Sequence, residues 1–69
     1  MNKMFSVNQE TCEIAKVKEI TCDLKNFYLG ERVVLIVDGK QITRRVYDNK
    51  ESGLFVRING CMICYYDFN

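Results

Sequence analysis

Leu54-Phe55-Val56-Arg57-Ile58-Asn59-Gly60-Cys61-Met62-Ile63-Cys64-Tyr65-Tyr66 is the stretch that decides the fold. Two runs rich in β-branched and aromatic residues flank an Asn-Gly pair. A two-residue type I′ loop needs positive φ at both central positions, and Asn and Gly tolerate it, so the stretch predicts a β-hairpin. With Asn59 and Gly60 as the loop, Ile58 faces Cys61, Val56 faces Ile63 and Leu54 faces Tyr65. Strand side chains alternate between faces, so these six residues form one apolar face, the expected core face. The other face carries Phe55, Arg57, Met62, Cys64 and Tyr66. It too is largely apolar, more so than a solvated sheet face tolerates, which makes it the expected contact surface.

Working outward, Asp38-Gly39 sits between Val33-Val34-Leu35-Ile36-Val37 and Gln41-Ile42-Thr43-Arg44-Arg45-Val46-Tyr47 and predicts a second hairpin. In its two-residue register Leu35 faces Ile42 and Val33 faces Arg44. Either Arg44 lies at a rim or a bulge shifts the pairing. Lys25-Asn26-Phe27-Tyr28-Leu29-Gly30-Glu31 reads as the loop that leads into this hairpin. Further back, Met4-Phe5-Ser6-Val7, Asn8-Gln9-Glu10-Thr11 and Cys12-Glu13-Ile14-Ala15-Lys16-Val17 read as strand, turn and strand. The same segment also fits a helix, because Ile14, Val17, Thr21 and Leu24 recur at helical spacing and Asn8 is available as a cap. The strand assignment is the one consistent with a domain built from hairpins.

A chain of 69 residues holds one domain and one core. The expected fold is all-β: a single domain over residues 1–69, with five to six short antiparallel strands joined by hairpins and bent into a small barrel. At this length two full sheets packed as a sandwich do not fit, and closure into a barrel limits exposed edges.

Leu29-Gly30-Glu31-Arg32-Val33, followed by a strand, Asp-Gly and another strand, resembles the entry to SH3-like barrels. The longer order is a hairpin over Asn8 to Thr11, then Gly30-Glu31, Val37-Asp38-Gly39-Lys40 and Thr43-Arg44-Arg45-Val46. It is similar to the short small-barrel proteins of Gram-positive bacteria and their phages and mobile elements. The resemblance implies an SH3-like barrel and a bacterial or phage context. SH3 domains that bind peptides place a tryptophan in their groove, and this chain has none, which speaks against a proline-rich peptide ligand.

Composition excludes more than it assigns. There is no histidine, which removes Ser-His-Asp and Cys-His nucleophilic sites, histidine metal sites and the commonest general base. Ser6 and Ser52 read as turn or strand-end residues, as do Asp38, Asp48 and Asp67. No acidic pair is placed for acid–base work, so a non-enzymatic protein is expected. No apolar run approaches the ~20 residues of a membrane span. The first residues carry one lysine and no following apolar segment, so they do not read as a signal peptide. A cytoplasmic protein with reduced thiols is the expectation.

Four cysteines require a test for metal binding. Cys61-Met62-Ile63-Cys64 has the C-x-x-C spacing of zinc knuckles and redox motifs, and Cys12 and Cys22 would complete four thiolates. An offset of three along a strand sends Cys61 and Cys64 to opposite faces, however, and Met-Ile is strand material rather than a knuckle turn. A redox motif needs its C-x-x-C at a helix start. The four cysteines are therefore expected to serve as small apolar side chains, with no metal and no cofactor.

Basic and aromatic residues interleave along the second half of the chain: Arg32, Arg44, Arg45, Tyr47, Phe55, Arg57 and Tyr66. The candidate binding residues are Arg45, Tyr47, Phe55, Arg57, Met62 and Tyr66, taken together on the outer sheet face. Such residues dominate protein hot spots, and a basic, aromatic face of a small barrel also binds single-stranded nucleic acid. The net charge of +1, from ten basic and nine acidic residues, weakens the nucleic-acid alternative. The expected function is an interaction module that engages another protein or a second copy of itself, with nucleic acid as the alternative partner and no membrane.

Overall fold

The computed structural model describes residues 4–69; residues 1–3, part of the stretch read for a leader, lie outside them. The elements in chain order are β1 (Phe5–Ser6), α1 (Gln9–Ile14), β2 (Ile20–Cys22), β3 (Arg32–Val37), β4 (Lys40–Arg45), β5 (Tyr47–Asn49), β6 (Gly53–Ile58) and β7 (Cys61–Cys64), followed by a 3₁₀ turn over Tyr65–Asp67. The domain is predominantly β and every strand pair is antiparallel.

Both dipeptide turns form as their chemistry requires. Asp38 and Gly39 take φ of 50° and 83°, and Asn59 and Gly60 take 51° and 78°, the left-handed values of a type I′ loop. Across the first, Leu35 pairs with Ile42 and Val33 with Arg44, in a register that runs without a bulge from Val37↔Lys40 to Arg32↔Arg45. Across the second, Ile58 pairs with Cys61 and Val56 with Ile63, as expected, but the ladder stops at Phe55↔Cys64. The Asp67 carboxylate accepts the Cys64 amide at 2.8 Å and the chain turns into the 3₁₀ segment. Leu54 pairs with Asp48 of β5 instead of Tyr65, and Tyr65 is 48% exposed rather than part of the core.

The strands form two sheets, ordered β1-β2-β3-β4 and β5-β6-β7, and not a closed barrel. Two bends in the chain interrupt the ladder. At Val46, between β4 and β5, the pairing carries on past Arg32↔Arg45 to the segment before β3, the Val46 amide reaching Glu31 O at 2.8 Å and its carbonyl accepting Gly30 N at 3.0 Å, and beyond it β5 leaves to pair with β6. The buried Val46 side chain sits at this bend. At the other end the 3₁₀ turn separates β7 from Phe68 and Asn69, which pair with β1 through Ser6–Asn69 hydrogen bonds of 3.1 and 2.8 Å and a Val7–Phe68 bridge. The sheets thus surround one core yet share no continuous ladder. Four- and three-stranded sheets fit in so short a chain because several strands have only two or three residues.

The segment over residues 9–14 is a helix, not the strand expected at Cys12 to Val17. The Asn8 side chain accepts the Glu10 amide at 2.8 Å, capping α1, and Glu10 lies in the positive first turn. Cys12 and Ala15, one helical turn apart, are buried, whereas Ile14 is 64% exposed, so the stripe that packs is not the one the spacing suggested. Lys16, at φ 62°, ends the helix. Both hairpin tips then hold the connection to β2. Asp38 Oδ1 accepts the amides of Lys18 and Glu19 at 2.7 and 2.8 Å, and Asn59 Nδ2 donates to Ala15 O at 3.0 Å.

Ile20, Val33, Leu35, Val46, Val56, Ile58, Ile63, Cys12 and Cys22 form the fully buried centre. Phe27, from the loop before β3, closes one end through edge contacts with Tyr65 and Phe68 at 5.2 and 5.9 Å. Among the described residues no buried side-chain nitrogen or oxygen lacks a partner, as a small core requires. No helix there is long and apolar enough to cross a membrane.

Candidate functional site

The three-stranded sheet presents an outer face built by strict alternation. Tyr47 and Asn49 come from β5, Phe55 and Arg57 from β6, and Met62 and Cys64 from β7. Tyr47 and Phe55 are cross-strand partners with ring centroids 5.9 Å apart, and the Arg57 guanidinium carbon stands 5.6 Å from the Phe55 centroid, within reach of a cation–π attraction. Met62 pairs with Arg57, and its sulfur accepts Asn49 Nδ2 at 3.8 Å. Tyr66 folds back from the 3₁₀ turn. The Cys64 side chain beside it pushes the Tyr66 phenol up from its ordinary range, while Ser52 acts in the opposite sense.

This face covers itself better than its apolar count suggested. Phe55 is 7% and Cys64 3% exposed, and Met62 is half-buried. Phe55 and Cys64 are cross-strand partners outside the main core; the Tyr47 ring lies against Phe55, and Tyr47 and Tyr66 remain 49% and 67% exposed. The accessible groups are therefore two phenol rings and the Arg57 guanidinium, not a bare apolar patch.

Arg45 is not on this face. It belongs to β4 in the other sheet, directly opposite Arg32 of β3. With Thr43, Arg44 and Tyr47 these two arginines line an open depression of about 350 Å³ beside the Val46 bend. Arg44 is anchored across the gap between the sheets: its Nε donates to Arg57 O at 3.1 Å and its Nη1 to Thr43 O at 2.8 Å. Arg32, Arg44 and Arg45 line the depression, and Arg57 meets Arg44 through its backbone carbonyl. Tyr47 joins the depression to the aromatic face. Of the sequence-predicted residues, Tyr47, Phe55, Arg57, Met62 and Tyr66 come together and Arg45 meets them only through Tyr47. Arg32 was among the interleaved basic residues but not in the candidate set, and Thr43 was in neither. The signal for Arg32 lay in the hairpin register, because pairing Val33 with Arg44 also pairs Arg32 with Arg45.

The cysteines lie apart in role. Cys12 and Cys22 are in the core, and burial pushes both thiols up from their ordinary range. Cys61, opposite Ile58, packs against the core, while Cys64, opposite Phe55, lies on the outer face. Among the described residues no three His, Cys, Asp or Glu side chains gather as a metal site. No family model, curated protein or solved structure matches the chain.

Proposed function

We propose that this protein is a non-enzymatic interaction module that docks on a partner protein, or on a second copy of itself, through the outer face of β5-β6-β7. The observation that carries this is the gathering of Tyr47, Phe55, Arg57 and Met62 on one face, with Tyr66 beside Cys64 at its edge and buried Phe55 holding the Tyr47 ring and the Arg57 guanidinium against it. Rigid Tyr and Arg groups on a firm base are the residue types and the setting of interface hot spots. The absence of histidine from the chain supports a non-catalytic role. The resemblance of the turn spacing to small SH3-like barrels supports placing it in the cytoplasm of a bacterium, as an accessory factor of the cell, a phage or a mobile element.

Crosslinking from a photoreactive residue at position 62, combined with sedimentation of the pure protein, tests the reading. The double variant Tyr47→Ser, Tyr66→Ser spares the buried Phe55 and is expected to abolish the crosslinked partner or the self-association, while Tyr28→Ser on the loop before β3 leaves it intact. A partner or dimer that survives the double variant unchanged defeats the proposal. Capture of single-stranded nucleic acid, with affinity falling steeply as salt rises, would replace it by the nucleic-acid alternative, which the three arginines lining one depression favour.

A further inference from the structure

The depression beside Val46 poses a physical problem of its own. Arg32 and Arg45 are directly opposite each other across β3 and β4, and like charges in that position oppose pairing. Arg44 also lines the depression, with its guanidinium turned to the Arg57 and Thr43 carbonyls, and no acidic side chain lines the walls. The chain has nine acidic residues, yet none is placed here to relieve the charge. Tyr47 offers an exposed aromatic wall, and Thr43 a hydroxyl.

We propose that this depression binds the phosphate group of a nucleoside monophosphate, with the base against Tyr47. Two arginines directly opposite each other call for more than one negative charge. A phosphomonoester carries about −1.5 to −2 near neutral pH, whereas a carboxylate or a diester carries one. Guanidinium forks match phosphate oxygens with paired hydrogen bonds. The volume of about 350 Å³ leaves room beside a phosphate and falls in the range of small-molecule sites, which begins near about 300 Å³. The flat wall supplied by Tyr47 suits a base, which stacks on aromatic side chains. The anchored position of Arg44, held by two carbonyls, fixes one cationic wall before the ligand arrives. Tyr47 belongs both to this site and to the aromatic face, so the titration is made on the protein free of any docked partner.

The test is titration of the isotope-labelled protein with adenosine 5′-monophosphate, adenosine, inorganic phosphate and sodium chloride at matched ionic strength, followed by amide and arginine side-chain resonances. Adenosine monophosphate is expected to shift the signals of residues 32 and 43–47 saturably, more tightly than inorganic phosphate, with no effect of adenosine alone. Arg45→Gln should weaken binding at least about tenfold, or 1.4 kcal/mol, while leaving the thermal midpoint unchanged or higher. Tyr47→Ala should reduce the nucleotide to the affinity of inorganic phosphate. Equal binding of phosphate and the nucleotide in the unaltered protein overturns the nucleoside assignment. Shifts reproduced by chloride, or none up to about 10 mM ligand, overturn the site. Binding of oligonucleotides without the mononucleotide overturns it in favour of a nucleic-acid track.

Discussion

Replacing Asp38 by glycine isolates one tertiary contact from the turn that carries it. Asp38 holds φ 50°, a value glycine adopts without strain, so the type I′ loop survives the change. What is lost is the carboxylate oxygen that accepts the Lys18 and Glu19 amides at 2.7 and 2.8 Å. Hydrogen bonds to a charged group contribute about 1.5–3 kcal/mol each where they are shielded. These lie at an exposed tip, so the pair together is taken at the low end, about 2 kcal/mol. For a domain of this size 1 kcal/mol moves the thermal midpoint by about 4–8 °C, so Asp38→Gly should lower it by about 8–16 °C. Asn59→Gly removes a single neutral hydrogen bond to Ala15 O and should lower it about half as far. Thermal melts by circular dichroism give the midpoints, and amide exchange shows whether Lys18 and Glu19 lose protection. A midpoint within about 2 °C of the parent, with those amides still protected, would refute the idea that the hairpin tip holds the α1–β2 connection.

Leu35→Ala, at a fully buried central position, should cost about 2–5 kcal/mol, a large share of a small domain's stability, measurable by urea unfolding. In the native protein a soluble thiol reagent should modify half-buried Cys61 first and leave Cys12, Cys22 and Cys64 protected until unfolding; rapid labelling of all four would contradict the packing. Burial raises the Cys12 and Cys22 thiols above their unfolded values. Their contribution to stability is therefore complete below the unfolded thiol pKa of about 8.5 and is lost as pH climbs from there through the higher folded values. Under reducing conditions the thermal midpoint should fall above that pH, less steeply in the Cys12→Ala, Cys22→Ala variant; an equal slope would remove the thiols as the cause. Arg45→Gln relieves the charge pair with Arg32 and should stabilise the unliganded protein by about 0.2–1 kcal/mol. The gain should vanish in high salt, where surface charges are screened.

The two hairpins, their registers and the alternation that assembles Tyr47, Phe55, Arg57 and Met62 on one face are legible in the sequence, because Asp-Gly and Asn-Gly select a turn and the turn sets the pairing. The helix at residues 9–14 was hidden because both periodicities fit so short a segment. The Asn8 cap decides between them together with burial of Cys12 and Ala15, and that burial exists only once the sheets supply a core. Likewise Arg44 was ambiguous between a rim and a bulge, and its anchoring on Arg57 O depends on where the second sheet lies.

What the sequence alone determined about this protein is its local grammar: an all-β domain, two type I′ hairpins, and alternating faces. These follow from backbone sterics and side-chain periodicity within a few residues. Only the tertiary structure decided that the sheet breaks at Val46, that the chain end zips onto β1, and that Arg32, Arg44 and Arg45 converge beside Tyr47. Those features depend on contacts between residues distant in the chain, where the hydrogen bonds available to Val46, Ser6 and Arg44 are set by neighbours that no local pattern specifies.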